Sequence, residues 1–315
     1  MIKRIVEISN PAFLHLRHRQ MVIEREGQEP ASVPVEDLGV LILEHPAISL
    51  TQALLAACWQ NNAVVVLCDA KHLPGAILMP LAAHSLHSKT IALQTGMKQA
   101  ARKQLWRAIV QAKIREQASV LRAATGDSGP LEALAARVRS GDPDNLEARA
   151  ARYYWPQLFG KEFRRRPEEP GINSLLNYGY AIMRAAVARA VVGAGLHPSL
   201  GLHHHNQYDS LCLADDLMEP LRPWVDRKTY EITREEPGKA EINTESKHEL
   251  LSILACNCAL GERRWPVLVA LHHYAASVRS VMAGELQKPE IPSRSVRLPA
   301  ARQEKFWQSD ALETA

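Results

Sequence analysis

Around residue 80 the hydrophobic repeat of this chain changes from two residues to 3.6. Neither period can bury its apolar side in the other's secondary structure, so the fold needs a β-rich part followed by a helical part. Before the change, "KRIVEI", "AFLHLRH", "QMVIERE" and "GVLILE" are short β-rich runs, punctuated by turn signals such as Asn10-Pro11 and Glu26-Gly27. "LTQALLAACWQNN" has apolar residues at helical spacing and stops at Asn61-Asn62. "AVVVLCD" reads as a buried strand, and "AILMPL" as another after the turn at Pro74-Gly75.

Beyond it, "KQAARKQLWRAIVQAKIREQASVLRAA" is a long amphipathic helix ending at Gly126, and "GPLEALAARVRSG" a short one. "DPDNLEARAARYYWPQLFG" opens on the start signals Asp142-Pro143. "NSLLNYGYAIMRAAVARAVVGAG" has Asn173 as its expected cap and stops at Gly193 and Gly195; "TESKHELLSILACNCALG" has Thr244. The expected fold class is α+β: a small β-rich N-terminal domain over residues 1–80 and a larger, nearly all-α domain over 81–286. Residues 287–315 are expected to form an arm or disordered tail, since Pro, Arg and Gln displace core formers there.

At 315 residues and 46% hydrophobic content the chain has material for a real core, which excludes a wholly disordered protein. A net charge of +4 does not by itself establish a nucleic-acid partner. Five cysteines without a CxxC pair fit reduced thiols better than disulfides or a zinc knuckle. No stretch of about 18 apolar residues offers a membrane span. The start, MIKRIVEISN, lacks an apolar signal core, so a cytoplasmic location is expected.

"GLHHHNQYDSLCLADDLMEP", residues 201–220, concentrates the chemistry. Neighbouring residues point to opposite faces of a strand and fan out by about 100° on a helix. His203, His204 and His205 are therefore poor joint ligands, and the bare run is more simply a polar turn. In "LADDLMEP" a helix would bring Asp215, Asp216 and Glu219 near one face, where like charges need a cation to offset them. Pro220 would end or kink that helix beside Glu219. Oxygen ligands with one imidazole and no thiolate favour Mg²⁺ or Mn²⁺ over structural zinc. A solvated acidic helix face is the alternative on spacing alone.

"LGLHHHNQYDSLCLADDLMEPLRPWVD" resembles the CRISPR-associated integrase that inserts new spacers during adaptation. The family's Gly-x-x-His step fits Gly201 to His204, and its D-L-M-E-x-x-R-P helix fits Asp216 to Pro223. Its earlier glutamate helix fits "GDPDNLEARAARYYWPQLFG", with Glu147 at the acidic place; "INSLLNYGYAIM" is also family-like. "HHHNQYD" and "DDLMEPLRPWVD" look most like the type II branch, which serves an RNA-guided effector nuclease. The resemblance implies Glu147, His204 and Glu219 as catalytic residues and ligands of a divalent cation, with Asp216 as a supporting carboxylate and Asp215 less so. It also implies a homodimer, two of which flank a dimer of a small ferredoxin-like adaptation partner in a heterohexamer, with further adaptation factors possible.

The implied reaction is attack by the 3′-hydroxyl of a spacer precursor on a repeat phosphodiester. DNA contact should then be basic and mostly sequence-neutral. "GKEFRRRPEEPG" offers Lys161, Arg164, Arg165 and Arg166, and Arg149 and Arg152 lie on the Glu147 helix. An exposed loop balanced by Glu168 and Glu169 is the competing reading of the arginine run. His84/His87 and His272/His273 are read as structural or surface residues, and the Tyr153-Tyr154-Trp155 run as core. A general metal-dependent DNA endonuclease and a non-catalytic DNA-binding scaffold are the alternatives in function.

Overall fold

A computed structural model of the chain describes residues 3–70, 72–80, 83–235 and 240–294. Six strands come first: β1 (Arg4–Ile8), β2 (Phe13–Arg17), β3 (Gln20–Glu24), β4 (Ala31–Pro34), β5 (Leu38–Leu43) and β6 (Ser49–Leu50). Helix α1 (Gln52–Gln60) and strands β7 (Val64–Cys68) and β8 (Pro74–Leu78) follow. One sheet runs β1-β5-β7-β8, parallel except for β8; the other runs β4-β3-β2-β6. Strands β4 and β6 escaped the sequence reading because they are too short, at four and two residues, to show a period.

Strand β5 and the first three residues of β7 are apolar because both of their faces are covered. Leu41, Leu43 and Val65 face the core under the second sheet, packed with Leu14, Met21 and Leu54. Val40, Ile42, Val64 and Val66 face the opposite way and belong to the core built by the helices. Pairs Val40–Val64 and Ile42–Val66 lie side by side in the ladder, so the sheet presents the helices with a continuous aliphatic surface. Buried polar ties reinforce this packing. Lys247 pairs with Glu44, and Tyr178 Oη donates to Glu7 at 3.0 Å.

The helices are α2 (His87–Thr95), α3 (Gln99–Thr125), α4 (Leu131–Arg137), α5 (Leu146–Phe159), α6 (Ile172–Gly193), α7 (Cys212–Met218), α8 (Arg222–Thr233) and α9 (Thr244–Ala255). The chain then forms a hairpin, β9 (Asn257–Leu260) and β10 (Arg263–Pro266), before α10 (Val267–Met282). The hairpin takes over a stretch read as helix, since α9 ends at Ala255. Two expected caps also differ. Asn243 caps α9 through a reciprocal pair with Ser246, with Thr244 the first helical residue. At α6 the cap position is Gly171, and Asn173 instead accepts from the Arg166 N–H at 3.0 Å.

Residues 287–294 of the expected tail are tied down: Ser293 pairs with Ala259, and Glu290 N–H donates to Ser277. The remainder of that tail lies outside the described residues. All five cysteines are free. No helix among the described residues is long and apolar enough to cross a membrane.

Candidate active site

Glu147 sits in the first turn of α5. Asp142, four residues before the helix, accepts from Leu146 N–H at 2.9 Å and Glu147 N–H at 3.0 Å. It thereby satisfies two of the N–H groups that a helix start leaves unpaired. The expected start signal thus acts from a loop, and it fixes the backbone of Glu147 itself. A carboxylate in this turn is also favoured by the positive end of the helix dipole.

Glu219 lies where α7 gives way to a tight 3-10 turn, Glu219–Leu221, with Pro220 inside it. Proline cannot donate to an α-helical bond, which accounts for the tightening. The carboxyl is buried and held by two cations. Arg222 Nε donates to Oε1 at 2.7 Å, and Lys113 on α3 pairs with Oε2. Burial works to raise its pKa, but Lys113 and Arg222 outweigh it and bring it to about 2. The same Lys113 nitrogen lies 2.5 Å from Glu147 Oε1. One ammonium therefore gathers the two carboxylates although they are far apart in the chain. Burial opposes the charge on Lys113, yet Glu219 and Glu147 hold its pKa above the ordinary range.

The three histidines go three ways. His203 stacks on Trp106 with ring centres 4.2 Å apart and planes 2° from parallel. His204 stands edge-on to both rings, and its Nδ1 lies 2.6 Å from Asp216 Oδ1. His205 is exposed. Asp216, fully buried, also accepts from the N–H groups of Leu202 (2.5 Å), His203 (3.0 Å) and His204 (3.2 Å). The turn thus wraps around one carboxylate. Glycine is required at 201: a Cβ there would lie 2.3 Å from the His204 carbonyl oxygen and 3.1 Å from Asp216 Oδ2. This close approach is the physical content of the Gly-x-x-His spacing. The hydrogen bond that His204 donates to Asp216, with the charges of Glu219 and Glu147 behind it, raises the pKa of the imidazole.

The acidic cluster is consequently not one shared face. Asp216 positions His204, Glu219 meets Lys113 and Arg222, and Asp215 pairs with Arg184 at 2.7 Å. Among the described residues no three His, Cys, Asp or Glu side chains form a ready-made metal-ligand group. The donor set nevertheless fits a hard divalent cation. Two carboxylates already share one positive centre, and with Nδ1 of His204 engaged its other ring nitrogen is left for the site. Lys113 escaped the sequence reading. Its signal was a lysine on the apolar side of α3, among the buried Ile109, Val110 and Ile114, where lysine is rarely placed without a partner.

Of the residues expected at DNA, Arg149, Arg152, Lys161, Arg164 and Arg166 are exposed. Arg166 pairs with Glu169 at 2.7 Å. Arg165 is the departure. It turns inward, donating to Asn173 Oδ1 (2.9 Å) and Asn177 Oδ1 (2.6 Å) and lying over the Tyr180 ring, because those two asparagines on α6 offer it fixed acceptors. Tyr154 is core, and Tyr153 and Trp155 pack against it, as read from the sequence.

The profile of the family described as "CRISPR associated protein Cas1" matches residues 6–252. The chain belongs to the Cas1 family. It is 36% identical over 297 residues to the CRISPR-associated endonuclease Cas1 of Neisseria meningitidis serogroup C (strain 8013), covering 92% of this chain and 97% of that one. The Cas1 fold recurs in a Cas1 protein from Thermotoga maritima, with a TM-score of 0.74, 18% identity and coverage of 91% and 99%. A casposase bound to integration product is similar at a TM-score of 0.76, 16% identity and 96% coverage of both chains.

Proposed function

We propose that this chain is a divalent-metal-dependent DNA integrase of CRISPR adaptation, of the type II branch. It would join the 3′-hydroxyl of a captured spacer precursor to a phosphodiester of the repeat. The observation that carries this reading is the convergence of Glu147 and Glu219 on one buried cation beside a histidine held by Asp216, in a chain of the Cas1 family. The fold likeness to a casposase bound to integration product supports joining over simple cutting.

Glu147, Glu219 and His204 would hold Mg²⁺ or Mn²⁺, which when bound supplies Lewis-acid stabilisation of the charge that builds on the attacked phosphate. Asp216 fixes the ring and tautomer of His204. Arg222 keeps Glu219 ionised and oriented. Arg149, Arg152, Lys161, Arg164 and Arg166 would contact phosphates without reading bases, as a variable precursor demands. We place the chain in a homodimer, two of which flank a dimer of a small ferredoxin-like partner, inside the cell; a structure of similar fold is a Cas6-RT-Cas1–Cas2 complex.

The test uses labelled precursor duplexes ending in 3′-hydroxyl or dideoxynucleotide, a repeat-containing target, and the small partner. Hydroxyl-ended precursor should be joined, while dideoxy-ended precursor should bind equally and never be joined. Target cutting at one rate with either end, and no joined product, would mean a nuclease.

A further inference from the structure

The glutamate end of the site is already electrically balanced. Two carboxylates, Glu147 and Glu219, meet two cations, Lys113 and Arg222. Glu219 is 5% exposed and the Lys113 side chain 12%, so water screens this group poorly. Adding a divalent ion with nothing else changed would leave two excess positive charges in a poorly solvated place. Lys113 also occupies the direction in which both carboxylates point. Ion binding therefore has to displace its ammonium, which then needs another anion.

DNA brings that anion. Resting on the integrase reading above, we propose that Lys113 is a resident cation that competes with the divalent ion for Glu147 and Glu219. Ion binding stays weak until a DNA phosphate gives the displaced ammonium a second partner. A lysine suits this exchange better than an arginine: its ammonium is a compact point charge on a flexible stem, free to change partners, whereas a guanidinium fork is committed by its geometry. Arg222, donating through Nε to Glu219 and lying over the Tyr180 ring, is the fixed cation of the pair.

The experiment measures Mn²⁺ affinity by calorimetry on the full chain, with and without a dideoxy-ended duplex carrying a repeat. A Glu147→Ala, Glu219→Ala double variant serves as the blank for ions held by the DNA itself. The wild type should bind Mn²⁺ at least tenfold more tightly with DNA present. Lys113→Met should bind Mn²⁺ at least tenfold more tightly than wild type without DNA, and DNA should then add little. Lys113→Arg, which keeps the charge, should stay weak without DNA. Equal wild-type affinity with and without DNA overturns the exchange and needs no variant; so does wild-type Mn²⁺ affinity in a folded Lys113→Met. Strand transfer is scored separately. Its absence beside the expected Mn²⁺ pattern sinks the integrase reading alone.

Discussion

Asp216 Oδ1 lies 2.6 Å from His204 Nδ1, and the same carboxylate accepts the backbone N–H groups of three consecutive residues, Leu202 to His204. Ring and backbone of the histidine are thus set by one buried group. Asp216→Asn keeps the shape but presents an N–H where an acceptor is needed. Strand transfer should fall about 10- to 100-fold, as for other partners of metal-binding histidines. Asp216→Ala should also cost about 3 kcal/mol of stability by orphaning buried donors. Urea unfolding alongside the transfer assay separates the two effects. Wild-type transfer in Asp216→Asn would show that His204 needs no orientation.

Glu147 and Glu219 should part company in stability while both are needed for joining. Glu219→Ala leaves the buried Arg222 without its carboxylate and Lys113 with Glu147 alone, which costs about 3–5 kcal/mol. Glu147 is partly exposed, and Lys113 keeps its other partner when it is removed; Glu147→Ala should cost about 1 kcal/mol or less. Each should abolish joining of labelled precursor to the repeat-containing target. His204→Ala should do the same, and His205→Ala should have little effect.

The basic loop divides by function. Replacing Lys161, Arg164 and Arg166 together by Ala should weaken binding to every duplex alike. The log–log salt slope should drop by roughly 0.9 for each phosphate that is no longer neutralised. Arg165→Ala should instead lower stability, because its bonds to Asn173 and Asn177 disappear. A salt titration of binding with an unchanged slope in the triple variant would assign those three side chains to plain solvated surface.

Asp226 gives a stability profile with a definite sign. Burial pushes its pKa up to about 7 from an ordinary 3.8, against the bond it accepts from Tyr180. Between those values the folded protein holds a proton that the unfolded chain has released. Rising pH therefore favours unfolding until the folded group ionises near 7, an effect of about 4 kcal/mol in total. Asp226→Asn cannot titrate. Its stability relative to wild type should climb from pH 4 to pH 7 and level off above. A flat difference across that range would contradict the assignment.

The long strongly patterned elements were legible from residues alone, because α3, α6 and β5 carry enough periodic apolar side chains to identify themselves. Glu147, His204 and Glu219 were singled out through the family resemblance and its motif order; the contacts of the two glutamates with Lys113 and of His204 with Asp216 are what the structure adds. What stayed hidden depends on the meeting of distant segments. Lys113 stands out only by its apolar surroundings on α3; its two partners appear when α5 and the 3-10 turn close on it. Arg165 looks like its two neighbours until Asn173 and Asn177 offer acceptors. Asp215 and Asp216 share a helix but are claimed by opposite partners, Arg184 and the histidine turn.

The two-faced sheet has a consequence for how such chains can recombine. Val40, Ile42, Val64 and Val66 are encoded in the first quarter of the chain yet line the core of the helices. Exchanging residues 1–80 with those of a relative would therefore transplant part of the helical core's wall. The N-terminal segment is not a portable module. Functional chimeras should require those four positions and their helical neighbours to travel together.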